Sequence, residues 1–177
     1  DLTNFPLIDK LIDTQKPIIL STGMSSIDEI QFTAEHLKKR NANFALLHCN
    51  STYPAPFHDI NLNWMKKLSK IHSLVGYSGH ERGISVSIAA VSLGAKIVER
   101  HLTFDRNMEG PDHAASLTPS EFNTLVSGIR EVEQALGEGD KRIVSQGEMI
   151  NRENLGKSIV AACALQKGTV IQTKHLK

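Results

Sequence analysis

A strand–helix–strand pattern occupies residues 74–101, which read LVGYSGHERGISVSIAAVSLGAKIVERH. The apolar runs at 74–78 and 96–101 do not alternate cleanly with polar residues, which is typical of strands buried on both faces of a parallel sheet. Between them, residues 84–93 are small and apolar, and they predict a short helix packed closely on that sheet. This stretch predicts an α/β fold with right-handed crossovers.

The same pattern continues on both sides of this stretch. Further apolar runs predict strands at 17–21 and 44–49. Apolar residues at helical spacing predict helices at 26–40, 61–70 and 118–136. The chain therefore alternates strand and helix four times, in repeats of about 30 residues, which suits half of a (βα)8 barrel. A doubly wound sheet is disfavoured because no GxGxxG opens a helix after the first strand.

The composition changes after Gly137, where the polar, glycine-rich run GEGDK begins. We predict that 1–137 is the barrel portion and that 138–157 is a linker. Beyond the linker, SIVAA at 158–162 and TVIQ at 169–172 predict strands joined by a turn. Residues 158–177 then begin a small β-rich module that is incomplete. Because the chain starts at Asp1 without Met, we expect a fragment of a longer protein.

Overall composition excludes several classes of protein. The 177 residues carry 20 Lys and Arg against 19 Asp and Glu, a net charge of +1, which excludes a nucleic-acid binder that works by bulk charge. No apolar run approaches the roughly 20 residues of a membrane span, and no signal peptide is recognisable. The cysteines, Cys49 and Cys163, lie far apart and form no CxxC, which predicts reduced thiols and a cytoplasmic location.

Small polar side chains follow each predicted strand, at the edge where parallel α/β folds carry their sites. Serine hydroxyls and glycine-adjacent amides suit a phosphate group. Two neutral imidazoles at equivalent positions of consecutive strands suit a divalent metal, although a single such histidine is more often structural. Cys49 is interpreted as a small buried residue, because no histidine partner for it is apparent. The candidates at this rim are Ser21, Ser51, Ser78, His80 and His101.

Longer motifs then bring in a known family. The stretches ILSTGMSS, LLHCNSTYP, VGYSGHERG, AAVSLGAKIVERH and EGPDHAASLTPSEF, in this order, resemble the sialic acid synthases (N-acetylneuraminate synthases). The tail LGKSIVAACALQKGTVI resembles the start of the antifreeze-like (SAF) domain of that family. The resemblance implies the C-terminal half of a (βα)8 TIM barrel over 1–137 and the beginning of an SAF domain over 158–177.

The resemblance also implies an activity. Such enzymes condense phosphoenolpyruvate with N-acetylmannosamine or its 6-phosphate, release phosphate, and need Mn²⁺ or Mg²⁺. Some members carry Asn at the position of Ser51. Asp1 falls where the family has an acidic residue near the metal and substrates. The implied roles are metal ligands for His80 and His101, phosphoenolpyruvate contacts for Ser21, Ser51 and Ser78, sugar contacts for Tyr53 and Asp112, and catalytic carboxylates for Asp112 and Asp1.

Three alternatives stay open at this point. The same residues would serve a legionaminic or pseudaminic acid synthase, which differs in its acceptor sugar. A half-barrel that has lost its other half could be a non-catalytic carbohydrate-binding or scaffolding module, because it exposes two sheet edges. A metal-dependent aldolase or hydrolase on the same barrel is a third reading. For the synthase, the resemblance implies a homodimer in the full-length protein, small-molecule partners alone, and no activity in this fragment by itself.

Overall fold

A computed structural model describes residues 1–139 and 141–177. The chain divides into two compact units, Asp1–Gly137 and Glu138–Lys177. Asp140, which falls in the predicted linker, lies outside the described residues.

The first unit is built on a parallel sheet of four strands in the order β1-β2-β3-β4. Neighbouring strands are also consecutive in sequence, so each crossover moves the chain one place along the sheet. This arrangement confirms the predicted α/β half-barrel. The strands are β1 (Ile18–Ser21), β2 (Phe44–Cys49), β3 (Val75–Gly79) and β4 (Val98–Arg100).

Helices connect and flank the strands. The helices at Ile27–Lys39, Pro119–Leu136 and Gln146–Leu155 begin at capping boxes, in which Ser26 pairs with Glu29, Thr118 with Glu121 and Ser145 with Glu148. Helix α1, which precedes β1, was not predicted. None of the helices in residues 1–139 and 141–177 is long and apolar enough to cross a lipid bilayer. The helices are α1 (Phe5–Asp13), α2 (Ile27–Lys39), α3 (Phe57–Ile60), α4 (Met65–Ile71), α5 (Ser85–Ser92), α6 (Pro119–Leu136) and α7 (Gln146–Leu155), with 3-10 turns at Leu62–Trp64, His113–Ala115 and Thr173–His175.

The hydrophobic core lies between the sheet and the helices that cover it. Strand β2 is buried from Phe44 to His48, as expected for a strand with a neighbour on each side. Leu37 of α2 and Leu68 of α4 are completely buried in the same cluster. Burying such a side chain stabilises the fold by about 1.5–3 kcal/mol. This packing holds the strands in place, and with them the strand ends that carry the polar residues.

The second unit differs from its prediction. The strands expected at 158–162 and 169–172 do not form, and helix α7 lies inside the predicted linker. Residues near Ala161 pair instead with Leu176, through a single antiparallel bridge. Val170 is 79% exposed and Ile171 is 63% exposed, so the second apolar run contributes little to a core. An isolated two-stranded pairing is marginal in water, which explains why the bridge does not extend into a sheet.

Candidate active site

The two candidate metal ligands lie side by side at the carboxyl ends of β3 and β4. Gly79, the last residue of β3, pairs in parallel register with Arg100, the last residue of β4. His80 and His101 follow these residues directly. Their ring centroids are 5.1 Å apart and the ring planes are nearly perpendicular, at 89°. The structure therefore brings together the two imidazoles that the sequence singled out.

A hydrogen bond fixes how the imidazole of His80 is presented. Nδ1 of the buried His80 lies 2.7 Å from the carbonyl oxygen of Asn50, and since a carbonyl only accepts, Nδ1 carries the proton. Nε2 of the neutral ring is then left with a free lone pair, and a carbonyl partner on the other nitrogen is usual for histidines that bind metals. Nδ1 of His101 lies 3.6 Å from Oδ2 of Asp112.

Tyr53 covers both imidazoles. Its ring centroid is 4.1 Å from that of His80 and 5.6 Å from that of His101. The phenol pKa is raised above its ordinary value, first by partial burial and then by the negative charges of Cys49, Asp112 and Glu99. The hydroxyl thus keeps its proton at neutral pH. Because the side chain is 41% exposed, this proton is available as a hydrogen-bond donor to a substrate.

The three candidate serines lie at the ends of neighbouring strands. Ser78 is buried and donates to Oε1 of Glu99 at 2.8 Å. The Oγ of Ser51 lies 3.8 Å from Cys49 Sγ, and Ser21 accepts a long bond of 3.5 Å from the amide of Gly23. The parallel pairing of β1 with β2 and of β2 with β3 brings their ends to one edge.

Gly23 lets the loop after β1 close onto the end of β2. A Cβ at this position would collide with the Oγ of Ser51 and would lie 3.2 Å from the Sγ of Cys49. A side chain at residue 23 would therefore force the hydroxyl of Ser51 to rotate away. The loop after β1 is therefore held against the candidate phosphate-binding serines.

Cys49 has a histidine partner, so the expectation that it lacks one is wrong. Its Sγ is half-buried and lies 3.7 Å from Nδ1 of His80. Burial raises the pKa of the thiol, but hydrogen bonds with His80, Ser21 and Ser51 lower it by more, so the pKa is below its ordinary value. Burial lowers the pKa of His80, but contact with Cys49 and with the Asn50 carbonyl raises it by more. The pair was missed because 31 residues separate its members.

The site also contains charged residues to which the sequence analysis gave no role. Glu99 on β4 accepts the hydroxyl of Ser78. Glu81 and Arg100 form an ion pair of 2.9 Å in which both side chains are 0% exposed. Charged side chains are almost never fully buried unless they are paired. The sequence signal that could have identified Glu81 and Arg100 was their position directly next to His80 and His101.

Asp1 does not join this cluster. Its side chain is exposed, and within residues 1–139 and 141–177 no hydrogen bond or ion pair connects it to the other candidates. Its catalytic role stays a prediction. Asp112 is close to His101 but 56% exposed, and it borders a cavity of about 280 Å³ that His101 and His113 also line.

The donor set fits part of a metal site. In the described part of the chain, no group of three or more His, Cys, Asp or Glu side chains is arranged to hold a metal ion. His80 and His101 nevertheless supply two adjacent imidazoles, whose ring centroids are 5.1 Å apart. Two protein nitrogens leave several coordination positions for water and substrate oxygens, as an open catalytic site requires.

Comparison with known proteins identifies the family. The sequence profile of the NeuB family matches residues 1–141. The chain belongs to the NeuB family. It is 44% identical to the N,N'-diacetyllegionaminic acid synthase of Campylobacter jejuni, over 99% of the chain and 54% of that relative. It is 42% identical to the N-acetylneuraminate-9-phosphate synthase of Homo sapiens, over 97% of the chain and 48% of that relative.

A solved structure of the same family matches the fold. The N-acetylneuraminic acid synthetase of Leptospira borgpetersenii serovar Hardjo-bovis, in complex with citrate, superposes with a TM-score of 0.78 at 34% identity. The match covers 89% of this NeuB chain and 56% of that one. The chain thus spans about half the length of the curated relatives it matches. The resemblance to sialic acid synthases that the motifs indicated is confirmed.

Proposed function

We propose that the whole protein condenses phosphoenolpyruvate with N-acetylmannosamine, or with its 6-phosphate, to form N-acetylneuraminate or its 9-phosphate and inorganic phosphate. One observation carries the proposal: the imidazoles of His80 and His101 lie side by side at the strand ends, with Tyr53 and Asp112 against them. The names of the two relatives described above, a diacetyllegionaminic acid synthase and an N-acetylneuraminate-9-phosphate synthase, support the same reaction type.

His80 and His101 are the residues proposed to hold a divalent metal. Imidazole nitrogens favour Mn²⁺ over Mg²⁺, because Mg²⁺ strongly prefers oxygen ligands. A bound Mn²⁺ would supply Lewis-acid polarisation of the aldehyde oxygen of the open-chain sugar. The Asn50 carbonyl holds the ring of His80 with Nε2 free, so this chain presents the ligand in the required tautomer.

The remaining side chains are assigned to the two substrates. Ser21 and Ser51 would donate to the phosphate and carboxylate of phosphoenolpyruvate. Ser78 would join them once its hydroxyl turns away from Glu99, to which it donates in this structure. Tyr53, which keeps its proton, would donate to a hydroxyl of the sugar. Asp112 would orient the sugar or transfer a proton at the new hydroxyl, and Asp1 stays a second candidate carboxylate.

The proposed reaction balances with one water molecule. C3 of phosphoenolpyruvate forms a bond to the aldehyde carbon, and the aldehyde oxygen takes up a proton. Water adds at C2, and phosphate leaves with cleavage of its bond to C2, which becomes the ketone carbon of the product.

A related acceptor sugar is the second candidate. The identities to a diacetyllegionaminic acid synthase and to an N-acetylneuraminate-9-phosphate synthase, 44% and 42%, are too similar to decide between them. The proposed roles of the histidines and serines would serve either sugar, because these residues address the aldehyde and phosphoenolpyruvate rather than the substituents that distinguish the acceptors.

The domain organisation, oligomeric state, partners and location of the whole protein are also proposals. We assign residues 158–177 to the beginning of an SAF domain and the whole protein to a homodimer, by analogy with the synthase family. The net charge of +1 gives no support to a nucleic-acid partner. Cys49 and Cys163 are both free thiols, which supports a cytoplasmic location.

The test is phosphate release by the whole protein. It is mixed with phosphoenolpyruvate and Mn²⁺, and with N-acetylmannosamine, its 6-phosphate or a diacetamido sugar of the bacillosamine type. We expect sugar-dependent release that EDTA abolishes, and the sugar that gives the highest rate identifies the acceptor. Release with none of the three sugars would contradict the synthase assignment and favour a binding or scaffolding role.

Matched histidine variants sharpen this test. His80→Ala removes a proposed ligand and is expected to abolish turnover and Mn²⁺ binding together. His58→Ala is the control, because the side chain of His58 is 83% exposed and pairs only with its neighbour Asp59. Wild-type turnover in both variants would contradict the metal assignment.

A further inference from the structure

Each of the two site histidines is adjacent in sequence to one member of a buried ion pair. Glu81 follows His80, and Arg100 precedes His101. Nη1 of Arg100 donates to Oε1 of Glu81 at 2.9 Å, and both side chains are 0% exposed. The two imidazoles are therefore connected through a short stretch of chain on each side and through this one buried ion pair.

Arg100 also binds the backbone of both loops that leave the strand ends. Nη2 donates to the carbonyl of Glu81 at 2.5 Å, and Nη1 donates to the carbonyl of Gly83 at 2.8 Å. A longer bond of 3.5 Å reaches the carbonyl of Ala115, in the segment that follows Asp112. Arg100 thus holds the loop after β3 and the segment after β4 against its own strand.

The carboxylate of Glu81 is equally constrained. Its Oε2 accepts the hydroxyl of Tyr77 at 2.7 Å, and Ser87 of α5 accepts from Arg100 at 3.0 Å. Gly79 leaves the room for this arrangement, since a Cβ there would lie 2.8 Å from Oε2 of Glu81 and 3.0 Å from Cδ of Arg100. Side chains in such a network have one low-energy arrangement, because water cannot replace a lost partner.

The guanidinium group is suited to this task in a way that an ammonium group is not. Its planar fork gives several donors in fixed directions, whereas lysine offers a compact charge on a flexible stem. The Nε of Arg100 is buried without an acceptor among the described residues.

We propose that Glu81 and Arg100 are positioning residues that fix the separation of His80 and His101 for metal binding. The inference rests on the proposed function, in which these two histidines hold a divalent metal. Neither charged side chain reaches the rim, because both are fully buried. They act through the backbone at residues 80 and 101, much as outer partners of metal ligands do elsewhere.

The experiment measures Mn²⁺ affinity of the whole protein by electron paramagnetic resonance titration, without substrates. Arg100→Lys keeps the charge but loses the fork, and Glu81→Ala removes the carboxylate. Both are expected to weaken Mn²⁺ binding about tenfold or more, the range seen when outer partners of ligands are removed. Glu81→Gln keeps the shape and an acceptor for Arg100, and it is expected to bind within about threefold of wild type.

Two controls separate positioning from loss of stability. Leu68→Ala removes a fully buried side chain of α4 that lies in the hydrophobic core rather than among the site residues, and it should lower the melting temperature while leaving Mn²⁺ affinity unchanged. Arg40→Lys changes an arginine that binds Asp9 and Asp13, and it should also leave the affinity unchanged. If Glu81→Ala does not fold, Arg100→Lys carries the test.

The outcomes distinguish this inference from the proposed function. Wild-type affinity in Arg100→Lys, in a protein whose Mn²⁺ binding His80→Ala abolishes, would overturn the inference and leave the function standing. Equal weakening in Leu68→Ala and Arg100→Lys would also overturn it. A wild-type protein that binds no Mn²⁺ would overturn both.

Discussion

Two arginine–carboxylate pairs in this molecule use the same chemical groups in opposite surroundings. Arg100 and Glu81, at the strand ends, are both 0% exposed. Arg40, which follows α2, binds Asp9 and Asp13 of α1 with side chains that are 41–70% exposed for the acids and 43% exposed for the arginine. Water competes for every partner of the outer pair and for none of the inner one. We therefore expect burial, more than the number of hydrogen bonds, to decide which pair fixes the positions of the residues around it.

Arg106 and Glu121 form a third pair, whose side chains are slightly less exposed than those of Arg40 and Asp9. Their side chains are 39% and 36% exposed, and the pair ties the loop after β4 to the start of α6. Glu121 also closes the capping box that Thr118 opens. The three pairs make a graded series in which the same substitution should cost less as exposure increases.

The largest effect is expected for Arg100→Ala. The substitution leaves the carboxylate of Glu81 buried without its charge partner, and the free energy of unfolding should fall by about 3–5 kcal/mol. Urea denaturation followed by circular dichroism measures this change. A loss below about 1 kcal/mol would show that water reaches Glu81 and that the contrast between the pairs is smaller than burial indicates.

The double variant Glu81→Leu/Arg100→Leu sharpens the same comparison. Apolar replacement of both partners of a buried ion pair is often neutral, so we expect much of the lost stability to return. Mn²⁺ binding should not return with it. Recovery of both properties would contradict the positioning role.

A smaller, pH-dependent effect is expected for Glu121→Gln. Bonding to Arg106, and then to the Thr118 amide, lowers the carboxyl pKa to about 2, so the native state favours the charged form. The stability from this group is present above pH 4.5 and is lost as the pH falls towards 2. Glutamine retains the capping box, and the loss at pH 7 should stay below about 1 kcal/mol because solvent screens the pair.

The control for Glu121→Gln lies at the matching position of α2. Glu29 closes a capping box with Ser26, and its pKa is lowered by bonds to Ser26 without an arginine. Denaturation curves between pH 2 and 7 should change less for Glu29→Gln than for Glu121→Gln. An equal change would assign the pH dependence to capping rather than to Arg106.

The smallest effect is expected for Arg40→Ala. Exposed ion pairs contribute about 0–1 kcal/mol and are weakened by salt. The free energy of unfolding should therefore change by less than about 1 kcal/mol, and the difference from wild type should shrink in 1 M NaCl. A loss as large as that of Arg100→Ala would show that α1 depends on this pair for its docking.

Local signals account for the elements that were predicted correctly. The apolar run at 44–49 gives β2 with the same bounds, and the Thr118 capping box starts α6. His80 and His101 were predicted to be neighbours because equivalent positions on consecutive parallel strands meet at one edge, and the rings lie 5.1 Å apart. Each of these predictions depends only on nearby residues and on the sheet order.

Predictions failed where pairing between distant residues decides the structure. Glu81 and Arg100 look like surface residues in the sequence, and only the register of β3 with β4 brings them together. The run at 158–162 has strand composition, but residues near Ala161 meet Leu176 instead of the run at 169–172. The role of Asp1 stays a prediction, because no contact among the described residues connects it to the other candidates. The metal also stays a prediction, because the contacts described here join protein groups alone.

Gly79 limits how this chain can diversify. Any nonsynonymous change of its codon adds at least a Cβ, and that atom would press on Glu81, Tyr77 and Arg100 together. A mutagenesis library directed at the rim of strand ends should therefore keep this codon constant. Diversity is better placed at rim positions such as Leu102 and Phe104, which are 59% and 87% exposed. The exposed rim residues can therefore vary only while Gly79, at the end of β3, stays unchanged.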